Sequence, residues 1–408
     1  MLTELEEISI AKRRLILRDS LAILSLTLAT VAIFIVTLFL FRSFSQHRAD
    51  LAQQAYEQGR DALNAHHPDE AIASLRAALS YAPGDSRDIQ LLAQALGETG
   101  RPEQTEESYQ YFMNLWDTQP GNGLINLQLA RLAARRNDRS AAVNFFRAAV
   151  YGTWEGDGVA RRAQVRLELA QYFIANHDLG SARLELLIAG GNAPDDYDRD
   201  MTLGSLLEQA QDPADASTYY QHALAAKPDD PPALEAAGRL AYQSGDFESA
   251  HRLLARALAA QGVTHTPADA DDENLADNAA RILELMPLPT QPVRERVERV
   301  LADRAIAAKR LDACSSQFSD AVELPSALQA MRSRWDGTEG TGNAAALLRD
   351  PPQQESAMQL VYDTEAQTAK LCGAPTGDDA LLLRMATAPR AAIQPDAAKL
   401  VPITVPHD

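Results

Sequence analysis

Residues 197–264 contain one 34-residue unit twice in succession, as YDRDMTLGSLLEQAQDPADASTYYQHALAAKPDD (197–230) and PPALEAAGRLAYQSGDFESAHRLLARALAAQGVT (231–264). The copies agree at four places: the eighth (Gly204, Gly238), the twentieth (Ala216, Ala250), the twenty-fourth (Tyr220, Leu254) and the twenty-seventh (Ala223, Ala257). A fixed period of this length indicates stacked copies of one supersecondary unit.

The same frame fits four segments upstream, so six units cover residues 52–264: 52–85, 86–119, 123–156, 163–196, 197–230 and 231–264. Small residues at the eighth, twentieth and twenty-seventh places predict two closely approaching helices, with the large twenty-fourth residue filling the space beside them. The three residues after the second unit and the six after the third are expected in turns between units. The turns within units are expected at Asn64–Asp69, Asn137-Asp138, His177-Asp178 and Gly245-Asp246, each with an Asp that can cap the next helix.

This pattern resembles the tetratricopeptide repeat family, in which each unit is a pair of antiparallel helices. The resemblance implies an all-α chain whose repeat array binds a protein or an extended peptide in a concave groove lined by the first helix of each unit. The places that face this groove in the family give the partner-binding candidates Tyr56, Arg60, Arg131, Arg135, Arg239 and Tyr242. The competing interpretation is that each arginine pairs with a nearby acidic residue of the array. The basic clamp that some members use for a peptide's terminal carboxylate is absent, so chaperone-tail binding is not expected.

Residues Ser20–Phe41 form an uncharged run of 22 residues. As a helix the run is about 33 Å long, enough to cross a hydrocarbon core of about 30 Å. We therefore expect a transmembrane helix at 20–41 after a cytoplasmic tail at 1–19, with the lipid bilayer as a partner. The alternative is a signal peptide cleaved near Ser43-Phe44-Ser45, but the apolar run is longer than such a segment needs.

Four basic residues precede the span (Lys12, Arg13, Arg14, Arg18) and three follow it (Arg42, Arg48, Arg60). This bias favours a cytoplasmic N-terminus, and hence a periplasmic domain on the inner membrane of a bacterium-like cell.

After Thr264 the repeat pattern stops. We expect an acidic linker at 265–274, a helical cap region at 275–386 and a disordered tail at 387–408. Within the cap, helices are expected at Leu275–Met286, Pro292–Ala313, Ala327–Trp335, Gln353–Leu371 and Asp378–Met385. The only two cysteines, Cys314 and Cys372, end two of these helices. They form a disulfide if the domain lies outside the cytoplasm, or remain separate thiols if it does not.

The formal net charge of -18 disfavours a nucleic-acid binder. No metal-ligand spacing accompanies His66-His67, which lies in a predicted turn. The glycine-rich stretch Gly337–Gly342 lacks the ending of a phosphate-binding loop. No nucleophile motif is present either. The sequence therefore predicts a non-enzyme without cofactor or metal.

The function expected from these features is that of a membrane-anchored scaffold for protein–protein interaction outside the cytoplasm, in envelope assembly, secretion or polysaccharide export. Three alternatives stay open at this point. They are a cytoplasm-facing adaptor of the same fold, a soluble secreted protein if the span is cleaved, and an enzyme with an unrecognised site in the carboxyl third.

Overall fold

The structure is a computed structural model that describes residues 2–191, 196–261, 267–318, 324–338 and 342–388. It divides into two compact units, Met1–Tyr172 (unit 1) and Phe173–Asp408 (unit 2). Across the described ranges the regular elements are α-helices, with one isolated parallel bridge between Asn122 and Thr153. The predicted all-α class is confirmed. The helices are α1 (Leu2–Asn64), α2 (Pro68–Tyr81), α3 (Ser86–Glu98), α4 (Pro102–Thr118), α5 (Gly123–Arg135), α6 (Arg139–Tyr151), α7 (Gly158–Ala175), α8 (Leu179–Gly191), α9 (Tyr197–Gln209), α10 (Pro213–Ala226), α11 (Pro231–Ser244), α12 (Phe247–Gln261), α13 (Pro267–Leu285), α14 (Val293–Ser316), α15 (Ser326–Asp336), α16 (Ala344–Arg349), α17 (Pro351–Cys372) and α18 (Asp378–Thr387).

Helix α1 joins two elements that the sequence separates. It runs without interruption for 63 residues, through the apolar run and into the first repeat unit. The physical reason is that neither proline nor glycine occurs before Gly59, so no residue in this stretch ends or kinks a helix. The span and the first repeat helix are therefore one rod.

No other part of the chain that the structure describes covers the apolar run. Its large apolar side chains between Leu21 and Phe44 are each 51–71% exposed. By length and composition this helix can cross a membrane, and a signal sequence would meet the same criteria. An exposed apolar surface of this size marks a site of contact with a membrane or with another protein.

The helix pairs pack as the repeat frame predicts. A Cβ placed on Gly59 would lie 2.5 Å from Cγ of Leu75, and one on Gly238 would lie 2.7 Å from Cγ of Leu254. In the fifth unit Gly204 has the same relationship to Tyr220. The eighth-place glycine therefore lies directly against the twenty-fourth residue, and the predicted interlock of small and large side chains is confirmed at these three pairs.

The turn within each repeat has a fixed geometry at its fifteenth place. The backbone there is left-handed in all six units, with φ between 58° and 86°: His66, Gly100, Asn137, His177, Gln211 and Gly245. In the last four units the next residue is an aspartate whose carboxylate accepts a backbone N–H at the start of the following helix: Asp138, Asp178, Asp212 and Asp246. The first turn differs from the prediction, because His67 precedes α2 without a side-chain cap and Asp69 already lies inside the helix.

The six residues after the third unit do not form the expected turn. Helix α7 begins at Gly158, so most of this insertion is helical and lengthens α7 to 18 residues. Asp157 makes this possible, because its carboxylate accepts the N–H groups of Val159 and Ala160. The three residues 120–122 remain a turn, in which Asn122 caps α5.

The expected linker at 265–274 is largely wrong. Helix α13 starts at Pro267, and proline is well tolerated in the first turn of a helix. A short helix, α16, was also not foreseen; it begins after Asn343, whose side chain caps it. The expected disordered tail, 387–408, starts too early, because α18 continues through Thr387. The rest of that tail from 389 onward, the closing Pro194 and residues 262–266 and 339–341 lie outside the described residues.

Candidate protein-binding surfaces

Three of the groove candidates in unit 1 connect successive first helices. The guanidinium of Arg87 on α3 lies 5.6 Å from the ring centroid of Tyr56 on α1. Arg135 on α5 donates to the carbonyl oxygen of Gly97 on α3. These contacts cross from one repeat to the next, so the residues act as links within the array.

Arg131 makes the most complete of these links. Its Nε and Nη2 atoms donate to the two carboxylate oxygens of Glu168 on α7, at 2.9 and 2.6 Å. The pair is bidentate and partly exposed, with 41% of the arginine side chain and 20% of the glutamate side chain accessible. A fork-to-fork geometry of this kind fixes orientation as well as distance.

Arg60 is held more loosely. It pairs with its own neighbour Asp61 at 2.9 Å, and both side chains are exposed. The hydrogen bond to this carboxylate raises the pKa of the guanidinium above its ordinary value. The two arginines are similarly accessible, at 47% for Arg60 and 41% for Arg131, but Asp61 is far more exposed than Glu168.

A polar cleft of about 380 Å³ lies on unit 1 beside these links. It is lined by Gln90, Asn122, Leu124, Thr153, Trp154, Glu155 and Arg161. Gln90 and Leu124 occupy the fifth and second places of their units, two of the places that face the groove in the family. Trp154 contributes a half-buried ring whose Nε1 donates to the carbonyl of Ala149, 2.9 Å away. Arg161 is exposed at the cleft.

Sequence reasoning did not identify this cleft, although two signals pointed to it. Trp154 stands where other units have a closing proline, and Arg161 lies in the six-residue insertion. Trp154 puts an indole ring in the place of a proline, and Arg161 belongs to a segment that regular units lack. A Cβ on Gly123 would collide with the Trp154 indole, so this glycine is needed for the ring to lie there.

In unit 2 the groove candidates have different roles. Arg239 lies 3.8 Å from Glu235 on its own helix. Tyr242 is half-buried, its ring centroid 5.4 Å from that of Phe247. The guanidinium of Arg384 on α18 lies over the Tyr242 ring and donates to the carbonyls of Tyr242 and Gln243 at 2.7 and 2.6 Å. Tyr242 is therefore a contact between the last repeat and the carboxyl helices, which differs from the predicted groove position.

A cavity of about 540 Å³ opens between the last repeat and the carboxyl helices. Phe247, Met286, Met358, Tyr362 and Met385 provide much of its apolar wall. Arg296 and Glu355 also line it, and the Nε atom of Arg296 is buried without a hydrogen-bond partner.

The buried carboxyl groups of unit 2 are not part of this cavity. Burial raises the pKa of Asp303 to about 7. Burial, followed by the charge of Asp379, raises the pKa of Glu365 to about 8. The Asp303 carboxylate oxygens have no hydrogen-bond partner within the part of the chain that the structure describes, whereas the Glu365 side chain interacts with that of Asp379. None of the three acids Asp303, Glu365 and Asp379 lines this cavity.

Cys314 and Cys372 are joined by a disulfide, with their Cα atoms 5.6 Å apart. The bond connects the carboxyl ends of α14 and α17 beside a small apolar cluster that includes Leu311, Leu328 and Met331. The described residues contain no group of three or more His, Cys, Asp or Glu that could hold a metal ion. His66 and His67 are exposed in their turn.

Comparison with known proteins gives one family match. Residues 207–265 match the tetratricopeptide repeat family model, which covers the fifth unit from its eleventh residue and the whole of the sixth. None of the curated proteins compared with this chain matches it.

Several solved structures are similar at low identity. PilF of Pseudomonas aeruginosa shares 15% identity over 52% of this chain and 91% of that one, with a TM-score of 0.39. PilW, described as a widely conserved type IV pilus biogenesis factor, shares 16% identity over 54% and 95%, also with a TM-score of 0.39. The TPR2AB domain of yeast Sti1, in complex with pHSP90, shares 14% identity over 57% and 99%, with a TM-score of 0.24.

Proposed function

We propose that this chain, which carries tetratricopeptide repeats, is a membrane-anchored scaffold that holds a protein partner beside the bilayer. The observation behind this proposal is helix α1, in which an uncovered apolar belt continues directly into the first repeat. Helical repeats of this class provide extended surfaces for peptides and proteins. A scaffold built onto its own anchor keeps its binding surface at the membrane.

The orientation that we propose places the repeats outside the cytoplasm, on the periplasmic side of an inner membrane. It is supported by the excess of basic residues before the span. The disulfide is compatible with it, since such bonds persist in oxidising compartments. The setting is envelope assembly, secretion or polysaccharide export, by analogy with anchored scaffolds of this family.

The partner-binding surface that we propose is the unit 1 cleft together with the exposed guanidinium of Arg60. Trp154 offers an aromatic face, Gln90 offers an amide group that can bond a peptide backbone, and Arg161 offers an exposed cation. An extended segment with an acidic side chain fits this set. Arg131 and Arg135 support the surface through their links between helices.

Site-specific photo-crosslinking tests this assignment in the native membrane. A photoreactive amino acid at Gln90, in the cleft, is compared with one at Glu103, which is exposed on α4 and does not line the cleft. The proposal expects one discrete adduct from position 90 that is absent at 103 and weakened by Arg161→Glu. An adduct of equal yield at both positions, or none at either, would contradict the proposed cleft.

The orientation is tested by thiol labelling in intact cells. A membrane-impermeant maleimide is expected to label Cys314 and Cys372 only after an impermeant reductant has opened the disulfide. Labelling that requires permeabilisation of the inner membrane would instead identify a cytoplasm-facing adaptor. N-terminal sequencing of the mature chain shows whether residues 20–41 are retained.

A further inference from the structure

The position of the first repeat relative to the span follows from helix α1. Arg48 is seven residues after Phe41, the last residue of the uncharged run. Along an α-helix seven residues correspond to about 10 Å. The headgroup layer outside a hydrocarbon core is about 5 to 8 Å thick on each side. Arg48 is therefore attached to the helix just beyond this layer.

Helix α2 returns along α1 toward the span. Near the turn, Leu63 and Ile72 belong to the same buried cluster, and further along Gly59 faces Leu75. At the end of the pair, Nη2 of Arg48 donates to the carbonyl oxygen of Tyr81 at 2.6 Å. Along these contacts the residue numbers fall on α1 while they rise on α2. The two helices are therefore antiparallel over the whole length of α2.

The chain just beyond Tyr81 lies at the end of the helix pair that faces the span. Side chains on a helix lean toward its N-terminus, so the Arg48 guanidinium points along α1 toward the apolar run. The hydrogen bond from Arg48 to Tyr81 therefore places the end of α2 beside the part of α1 that lies next to the apolar run. The next residues, Ala82–Asp85, form the loop to α3, and Pro83 and Gly84 in it are exposed.

We propose that the α2–α3 loop, Ala82–Asp85, lies against the phospholipid headgroup layer of the bilayer that holds the span. This inference rests on the anchoring part of the proposed function. It assigns one loop of the repeat array to contact with lipid. It also orients the first two repeat helices, whose axes then run away from the membrane surface in continuation of the span. The partner then has to approach unit 1 from elsewhere.

The charges at this level fit a lipid surface. Arg42 and Arg48 lie on α1 within this stretch, and Arg87 follows the loop; the acidic groups are Asp50, Asp85 and the buried Asp88. The Asp85 carboxylate is engaged by Arg87 at 3.1 Å. Although the whole chain carries a net charge of -18, this end is not acidic. Anionic headgroups therefore do not repel it.

Fluorescence quenching in proteoliposomes tests the contact. A dye is attached to Pro83→Cys in the full-length oxidised protein, whose native cysteines are bonded to each other, and the quencher is a nitroxide on the lipid headgroup. The matched control is Ala65→Cys, in the turn at the other end of the same helix pair. The dye at 83 is expected to be quenched roughly twofold more than the dye at 65, because about 24 Å of helix separates the two levels.

A third label, at Phe44→Cys, reports whether the span is embedded. Strong quenching at 44 with equally weak quenching at 83 and 65 overturns the proposed contact while leaving the anchor intact. Absence of quenching at 44 overturns the anchor, and the loop contact with it. The two failures are thus distinguishable.

An insertion tests whether the continuous helix is the cause. A Gly-Pro insertion between Ser45 and Gln46 breaks α1 after the span. Quenching at 83 is then expected to fall to the level at 65, while quenching at 44 persists. Unchanged quenching at 83 would show that the stem does not position the loop, and the inference would fail.

Discussion

Gly238 lies against Leu254 so closely that a Cβ on the glycine would be 2.7 Å from the leucine Cγ and 3.2 Å from its backbone nitrogen. Leu254 is fully buried, so it has little room to withdraw. We expect Gly238→Ala to lower the free energy of unfolding of the full-length protein by about 1–3 kcal/mol, the range found for overpacked cores. Urea denaturation followed by circular dichroism measures the change.

A second glycine provides the matched control. Gly180 lies in α8, and a Cβ there would have no heavy atom within 4 Å. Gly180→Ala should therefore raise stability by about 0.5–1 kcal/mol through the lower backbone entropy of the unfolded chain. If both alanines changed stability in the same direction, contact with Leu254 would not explain the effect at 238.

The stability of unit 2 should depend on pH through Glu365 and Asp303. Their folded pKa values, about 8 and about 7, exceed the value of about 4 that each carboxyl has in an unfolded chain. The folded state therefore binds more protons between pH 4 and 8, and stability decreases as pH rises through this window. Above pH 8 the decrease should level off. Chemical denaturation at a series of pH values measures the slope.

Glu365→Gln isolates one of these groups. The amide stays neutral, so the variant should gain stability relative to the parent as pH rises from 5 to 8. Glu355→Gln on the same helix is the control, because Glu355 is exposed. Parallel stability curves for the parent and Glu365→Gln would contradict the assignment.

The sequence predicted the helix pairs and the packing of small against large side chains, because the residues responsible recur at the same places of each 34-residue unit. The turn at the fifteenth place was only partly predictable. Glycine and asparagine mark left-handed backbone, but His66, His177 and Gln211 adopt it too, at about 58–59°. Repeat context imposes this conformation on residues that do not signal it.

The continuity of helix α1 was not predicted, because no residue in the sequence marks it. Nothing in the sequence marks the fusion of span and repeat in α1, because continuity requires only that no residue breaks the helix. The sequence predicted candidate residues for the binding surfaces, but it did not predict their contacts. Family places identified Arg131 and Tyr242, but their partners Glu168 and Arg384 are 37 and 142 residues away. Periodicity carries no information about such pairings.

Reduction of the disulfide should destabilise unit 2. The bond closes a loop of 58 residues, and the chain-entropy model assigns about 4 kcal/mol to a loop of this size. Trp335 packs partly against the cluster beside the bond and is the only tryptophan after residue 172, so its fluorescence reports on this end. A lower urea midpoint is expected with reductant. The double variant Cys314→Ser/Cys372→Ser should show no response to reductant, and an unchanged midpoint of the reduced parent would contradict the prediction.

Exchanging the charges of Arg131 and Glu168 separates their contribution to the array from a role in partner binding. Arg131→Glu places two carboxylates together and should destabilise unit 1, and adding Glu168→Arg should restore most of the loss. Because the pair is partly exposed, its coupling energy in a double-mutant cycle should be about 1 kcal/mol. The double variant is then stable with its charges reversed. Full cross-linking from Gln90 in this variant would show that Arg131 only links the helices, whereas loss of the adduct from a stable array would show that the partner contacts Arg131 directly.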